Sequence, residues 1–76
     1  MNYSEFRIRL GNRIKELRQE QGLSLLDMES GRYGVHRRTV QEAENNNQDI
    51  RMETLFKIAR RLNVEIQDFL DFKMNI

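Results

Sequence analysis

Apolar residues recur along this chain at helical spacing. Phe6, Leu10, Ile14 and Leu17 follow steps of four, four and three, which sets them on one face of a helix. Ser4 is the expected N-cap of that helix and Gly22 its terminator. Gly11, in its interior, costs about 1 kcal/mol relative to alanine and so marks either a fray point or a close packing contact. Ser24 followed by Asp27 resembles a capping box, with Asp in place of Glu or Gln. It predicts a short helix over residues 24–31 that uses Leu25, Leu26 and Met28 and ends at the glycines. A third helix over residues 36–45 buries Val40 and Ala43 with help from Val35. ENNNQDI at 44–50 is polar and rich in turn formers, and reads as a loop. A fourth helix over residues 52–62 carries Leu55, Ile58, Ala59 and Leu62 in the i, i+3, i+4, i+7 pattern, with Asn63 as a left-handed terminator. A fifth over residues 66–72 carries Ile66, Phe69 and Leu70. No repeat and no useful strand-like alternation interrupts the series. The expected fold is all-α, a compact domain of five short helices spanning residues 1–76, with a core at 5–70 and a tail at 71–76.

Composition narrows the chemistry. With 76 residues, the chain suits one domain, and a domain this small buries only about 60% of its unfolded surface. It has no cysteine and one histidine, which excludes disulfides, thiolate metal sites and multi-histidine clusters. No cofactor and no metal is expected. No apolar run approaches the roughly 20 residues needed to span a bilayer, so no membrane partner is expected. The opening MNYSEFRIRLG alternates charge and hydrophobe, unlike a secretory signal. Charged residues make up 33% of the chain, yet the net charge is only +1, which by itself points weakly to nucleic acid. Charge is unevenly spread: basic over residues 1–22, acidic over 64–76.

Two short helices joined by a glycine-bearing turn are the helix-turn-helix unit, whose second helix enters the major groove. Here these are residues 24–31 and 36–45. On the second, Arg37, Arg38, Gln41 and Glu42 share one face. Arg can grip guanine O6 and N7, Gln can pair with adenine, and Glu can accept from cytosine N4. The plainer reading is a solvated face on which Arg38 and Glu42 pair at i, i+4. His36 alone reads as a helix-start residue within reach of a phosphate.

Three runs carry a resemblance. LGNRIKELRQEQGLS (10–24), GVHRRTVQEAENN (34–46) and METLFKIARRLNVEIQDFL (52–70) resemble the Cro/C1-type, or XRE-type, helix-turn-helix transcriptional regulators. METLFKIARRLNV parallels that family's E-T-L-x-K-I-A-x-x-L-x-V pattern, and the likeness covers residues 8–70. It implies a lambda-repressor-like fold that binds double-stranded DNA, located in the cytoplasm of a prokaryote or encoded by a phage or mobile element. It implies base reading by Arg37, Arg38 and Glu42, flanked by Thr39 and Gln41. Phosphate contacts fall on Ser24, His36, Thr39 and Asn45, with Asn47 and Arg51 in the following loop. His36 replaces the usual Ser or Thr at the recognition-helix N-cap. The family's structural ion pair maps onto Arg18 and Glu44.

The chain departs from the family in three places. Leu25 stands where Gln is common. The position of the family's small alanine, which lets the two helices approach, falls on Glu29 in the simplest register, where a glutamate would be crowded, or on Ser30 in an alternative one. Residues 24–34 hold one residue more than usual, so the turn is enlarged and Tyr33 is expected to plug the junction between the two helices.

Two function classes follow. The first is a dimeric repressor on a palindromic operator, with Phe69, Phe72, Met74 and Ile76 as the dimer surface; the plainer reading is that Phe69 and Leu70 close the monomer core and the tail frays. The second is a protein-interaction module that kept the fold and lost DNA, using Leu25, Leu26 and the turn. An enzyme is not expected, because the serines, the histidine and the carboxylates show no pocket-forming arrangement, and no small-molecule ligand is evident.

Overall fold

A computed structural model describes residues 1–45 and 49–73. Three α-helices, α1 (Tyr3–Glu20), α2 (Arg37–Asn45) and α3 (Met52–Leu62), alternate with two 3-10 segments, Asp27–Glu29 and Ile66–Leu70. No strand occurs among the described residues. The expected five helices are therefore three helices and two tight turns.

Helix α1 begins two residues earlier than a Ser4 cap predicts. Asn2 is the N-cap, its side chain accepting from the Glu5 N–H at 2.9 Å. Gly11 is buried within the unbroken helix, so it marks packing rather than fraying. At the other end Gly22 takes the left-handed conformation (φ +70°). The Leu23 N–H reaches the Arg18 carbonyl and the Gly22 N–H the Gln19 carbonyl, the paired bonds of a Schellman motif. Asn63 (φ +57°) closes α3 in the same way, with Val64 N–H to the Ala59 carbonyl and Asn63 N–H to the Arg60 carbonyl. Both terminators act as the sequence predicts.

The segment at 24–31 is not a helix. The box is present: Ser24 N–H donates to the Asp27 carboxylate at 2.8 Å, and the Asp27 N–H to Ser24 Oγ at 3.0 Å. These bonds to Ser24 hold the Asp27 carboxyl below its ordinary value, with nearby Arg61 adding to the effect. One turn forms and then stops, because the carbonyls needed to propagate it are already taken. The Asp27 carbonyl accepts from Arg61 Nη2 and Ser30 Oγ, and the Met28 carbonyl from the Val35 N–H and Arg61 Nε. Arg61, reaching over from α3, thus holds the motif's first helix to a single turn.

The core collects Leu10, Ile14 and Leu17 from α1, Met28 and Val35 around the turn, Val40 and Ala43 from α2, and Leu55, Ile58, Ala59 and Leu62 from α3. Phe69 is 0% exposed and closes it from below. That overturns Phe69 as a dimer contact: the ring is spent inside the monomer. Phe72 is half-buried with its ring centroid 5.9 Å from that of Phe6. Arg13 Nε donates to the Asp68 carbonyl and Arg9 Nη1 to the Lys73 carbonyl, so the chain is tied back to α1 as far as Lys73. Met74 and Ile76 lie outside the described residues.

The enlarged turn is shaped by two glycines of different kinds. Gly31 has φ +84° with open space around it, whereas a Cβ on Gly34 would run into the Glu29 backbone carbonyl. Gly34→Ala is therefore expected to destabilise by about 1–3 kcal/mol through forced backbone displacement, and Gly31→Ala by about 1 kcal/mol through its positive φ alone. Urea unfolding of both variants checks the ranking.

Candidate nucleic-acid interface

Helix α2 is amphipathic in the simplest sense. Val40, Ala43 and Glu44 are buried, while Arg37, Arg38, Thr39, Gln41, Glu42 and Asn45 face solvent. Nine residues are too few for a stable isolated helix, and contacts at both ends hold this one in place.

At its C-terminal end, Glu44 meets Arg18 of α1. Arg18 Nε donates to Oε2 at 2.7 Å and Nη2 to Oε1 at 3.0 Å, while Nη1 reaches the Leu23 carbonyl at 2.7 Å. Both side chains are buried. The bond to Glu44 raises the guanidinium pKa further, so Arg18 stays charged. Arg18 and Glu44 are thus paired as the resemblance implies.

At its N-terminal end, two side chains satisfy the free N–H groups. His36 Nδ1 accepts from the Arg38 N–H at 3.1 Å, so His36 fills the N-cap role. Glu29 Oε2 accepts from the Arg37 N–H at 3.0 Å and lies 3.8 Å from His36 Nε2 and 3.9 Å from Arg37 Nη1. This resolves the crowding expected at Glu29. Its carboxylate is not wedged between helices but turned onto the positive end of the α2 dipole, where a negative charge is stabilising. Tyr33, expected to plug the junction, is instead 41% exposed, with the Arg60 guanidinium of α3 stacked over its ring at 4.4 Å. Met28 and Val35 fill the junction. Leu25 packs half-buried against the core, so it braces the motif by apolar contact where a glutamine would hydrogen-bond.

The proposed base readers lie together on the exposed face. Arg38 Nε sits 3.2 Å from Glu42 Oε1, with both side chains largely exposed. The plain i, i+4 pair is thus formed in the free protein, and opening it costs only about 0.3–0.5 kcal/mol. Thr39, Glu42, Asp49, Arg51 and Thr54 share a cavity of about 230 Å³ between α2 and the start of α3. The fold therefore brings Thr39 and Arg51 to one place. Ser24 is exposed, but its N–H is already taken by Asp27. Asn45 is exposed at the end of α2. Asn47 lies outside the described residues. The sequence reading missed Glu29 as a cap, Arg61 as a clamp and Thr54 as a cavity wall. Each depends on a contact between distant segments, for which no local signal exists.

A short turn, a crossing glycine and a second helix locked to α1 by a buried Arg–Glu pair form a helix-turn-helix, and a sequence model described as helix-turn-helix matches residues 14–69, about three-quarters of the chain. The chain belongs to the Cro/C1-type helix-turn-helix family. No curated protein sequence matches it significantly. Members of this family are DNA-binding transcription regulators, and α2 occupies the position of its recognition helix. Among the described residues, no helix is long and apolar enough to cross a membrane and no cluster of ligating side chains could hold a metal.

Removing either member of the buried pair leaves an uncompensated charge. Arg18→Met or Glu44→Leu alone should cost about 3–5 kcal/mol, whereas the double variant should recover much of that loss. A double-mutant cycle in urea measures the coupling.

Proposed function

We propose that this protein is a dimeric, sequence-specific repressor that reads a two-fold symmetric operator through the major groove with α2. One observation carries the reading: Arg37, Arg38, Gln41 and Glu42 stand exposed on a helix whose opposite face is fixed to α1 by the Arg18–Glu44 pair. Arg37 and Arg38 sit in its first turn, where side chains reach base edges best. They address guanine, with Gln41 for adenine and Glu42 for cytosine. The Arg38–Glu42 pair opens when the duplex supplies better partners. Arg51 and Thr39, sharing one cavity, flank the reading face and hold phosphates, with Ser24, His36, Asn45 and Asn47 completing the backbone contacts. The Glu29 carboxylate beside Arg37 keeps that arginine oriented before DNA arrives.

Dimerisation supplies the two-fold symmetry. An apolar cavity of about 240 Å³ opens beside Tyr3, Phe6, Met52 and Leu70, and Tyr3, Met52 and Leu70 are exposed. Together with Phe72, this end of the molecule supports the dimer surface. It adjoins Ile50 and Met52, on either side of the proposed phosphate contact Arg51.

Arg38→Ala is expected to cost about 1–3 kcal/mol on the selected site and to relax preference at one base pair, while Arg51→Ala weakens all duplexes about equally and lowers the salt slope by about one. Binding to a selected site and to random duplex over a salt series distinguishes them. Equal losses on every sequence from both changes would remove Arg38 from the base readers. No binding to any duplex at low salt would favour the interaction-module reading instead.

Met52→Asp with Leu70→Asp should give monomers of unchanged helicity. Light scattering that still reports a dimer would move the interface elsewhere.

A further inference from the structure

The turn before α2 carries an exposed basic and aromatic surface outside the proposed base and phosphate contacts. Tyr33 presents its ring to two guanidiniums, Arg60 at 4.4 Å and Arg32 at 5.6 Å, and Arg60 lies 5.2 Å from the ring of Phe56. Both aromatic rings are exposed, Phe56 by 54%. Arg32 and Arg60 meet no carboxylate or carbonyl among the described residues. Their basic neighbours are already engaged, Lys57 by Glu53 at 2.9 Å and Arg61 by the backbone of the turn. A guanidinium stacked on a ring keeps its in-plane N–H donors turned outward and pre-organised for a carboxylate. Beside the stack, a cavity of about 180 Å³ is lined by Ser30, Gly31, Arg32, Tyr33 and Arg61.

We infer that this stack is a docking site for an acidic segment of a partner protein, one carrying a carboxylate next to a bulky apolar side chain. The carboxylate bonds the outward-facing donors of Arg32 and Arg60 beside this cavity, and the apolar side chain lies on Phe56. Two observations favour a polypeptide over the DNA backbone. Arg60 is nine residues from Arg51, roughly 13 Å along α3 and away from the phosphate-holding end. A phosphate would use the two cations but leave the exposed rings uncovered, whereas Tyr, Phe and Arg together are the residue types that anchor protein interfaces. The stack shares no residue with the proposed reading face of α2.

The test uses a short fluorescein-labelled peptide of Glu and Asp around a central Phe-Leu pair, followed by anisotropy and by backbone amide spectra of the full chain. The peptide should bind, shift amides at 31–34 and 56–60 while sparing 37–42, and weaken roughly tenfold or more on Tyr33→Ala or Arg60→Ala. Circular dichroism confirms that the variants are folded. Arg32→Ala, in the exposed turn, provides a variant that leaves the α3 surface intact, and it should weaken the peptide too. Arg32→Ala, which keeps the Arg60–Tyr33 stack, should leave duplex binding unchanged. Absence of peptide binding overturns the inference. So does displacement of the peptide by duplex DNA, or loss of duplex affinity in Arg32→Ala, which would make this surface a phosphate contact. Peptide binding without any duplex binding would sustain this site and defeat the repressor reading alone.

Discussion

Arg18 is the residue on which the arrangement of this domain depends. Its guanidinium bonds both oxygens of Glu44 and the Leu23 carbonyl, so one buried side chain joins α1, the end of α2 and the chain reversal between them. The pair is shielded from water, and its geometry is fixed by the fork of the guanidinium. A short recognition helix cannot hold its own conformation, and here it does not need to. Glu44 anchors its last turn, and Glu29 with His36 anchors its first. What remains free is the face that carries Arg37, Arg38, Gln41 and Glu42.

The turn between the motif's two halves is where this chain is most its own. The first half is reduced to one turn because Arg61 and Ser30 take the carbonyls that would continue it. The chain then passes so close to itself that Gly34 has no room for a side chain. That crossing sets the direction in which α2 departs and hence where Arg37 and Arg38 point. The enlarged loop does not float. The stack of Arg60 on Tyr33 holds it to α3 on one side, and Glu29 holds it to α2 on the other. The same turn that leads into α2 thus carries a basic, aromatic surface.

Much of the fold was legible. α3 has the predicted bounds, because its four apolar residues repeat at one helical face and Asn63 is a strong local stop. α1 and α2 differ from expectation only at their first residues, where Asn2 competes with Ser4 and His36 caps from outside the helix. The Arg18–Glu44 pair and His36 as a cap were foreseen from the family pattern. The segment at 24–31 was misread because three apolar residues and a sound capping box are compatible with a helix of any length. What ended it was an arginine on α3, more than thirty residues away in sequence. Tyr33 and Glu29 were misplaced for the same reason. A large ring beside a junction suggests a plug, and a carboxylate at a tight crossing suggests strain, until the positions of Arg60 and the α2 N-terminus are known. Phe69 fits both a dimer surface and the plainer reading in which it closes the monomer core, and its full burial decides for the core.

By itself the sequence determined which stretches are helical, where left-handed residues stop them, and which residue types stand on the recognition helix. These follow from local periodicity and backbone preference, which act within a few residues. The tertiary structure alone decided how long the motif's first helix is, what caps the second, and which aromatic rings are buried and which exposed. Those outcomes rest on contacts such as Arg61 with the turn, Glu29 with the α2 N-terminus and Arg60 with Tyr33. Each joins groups far apart along the chain, and their energies exist only once the core has brought them together.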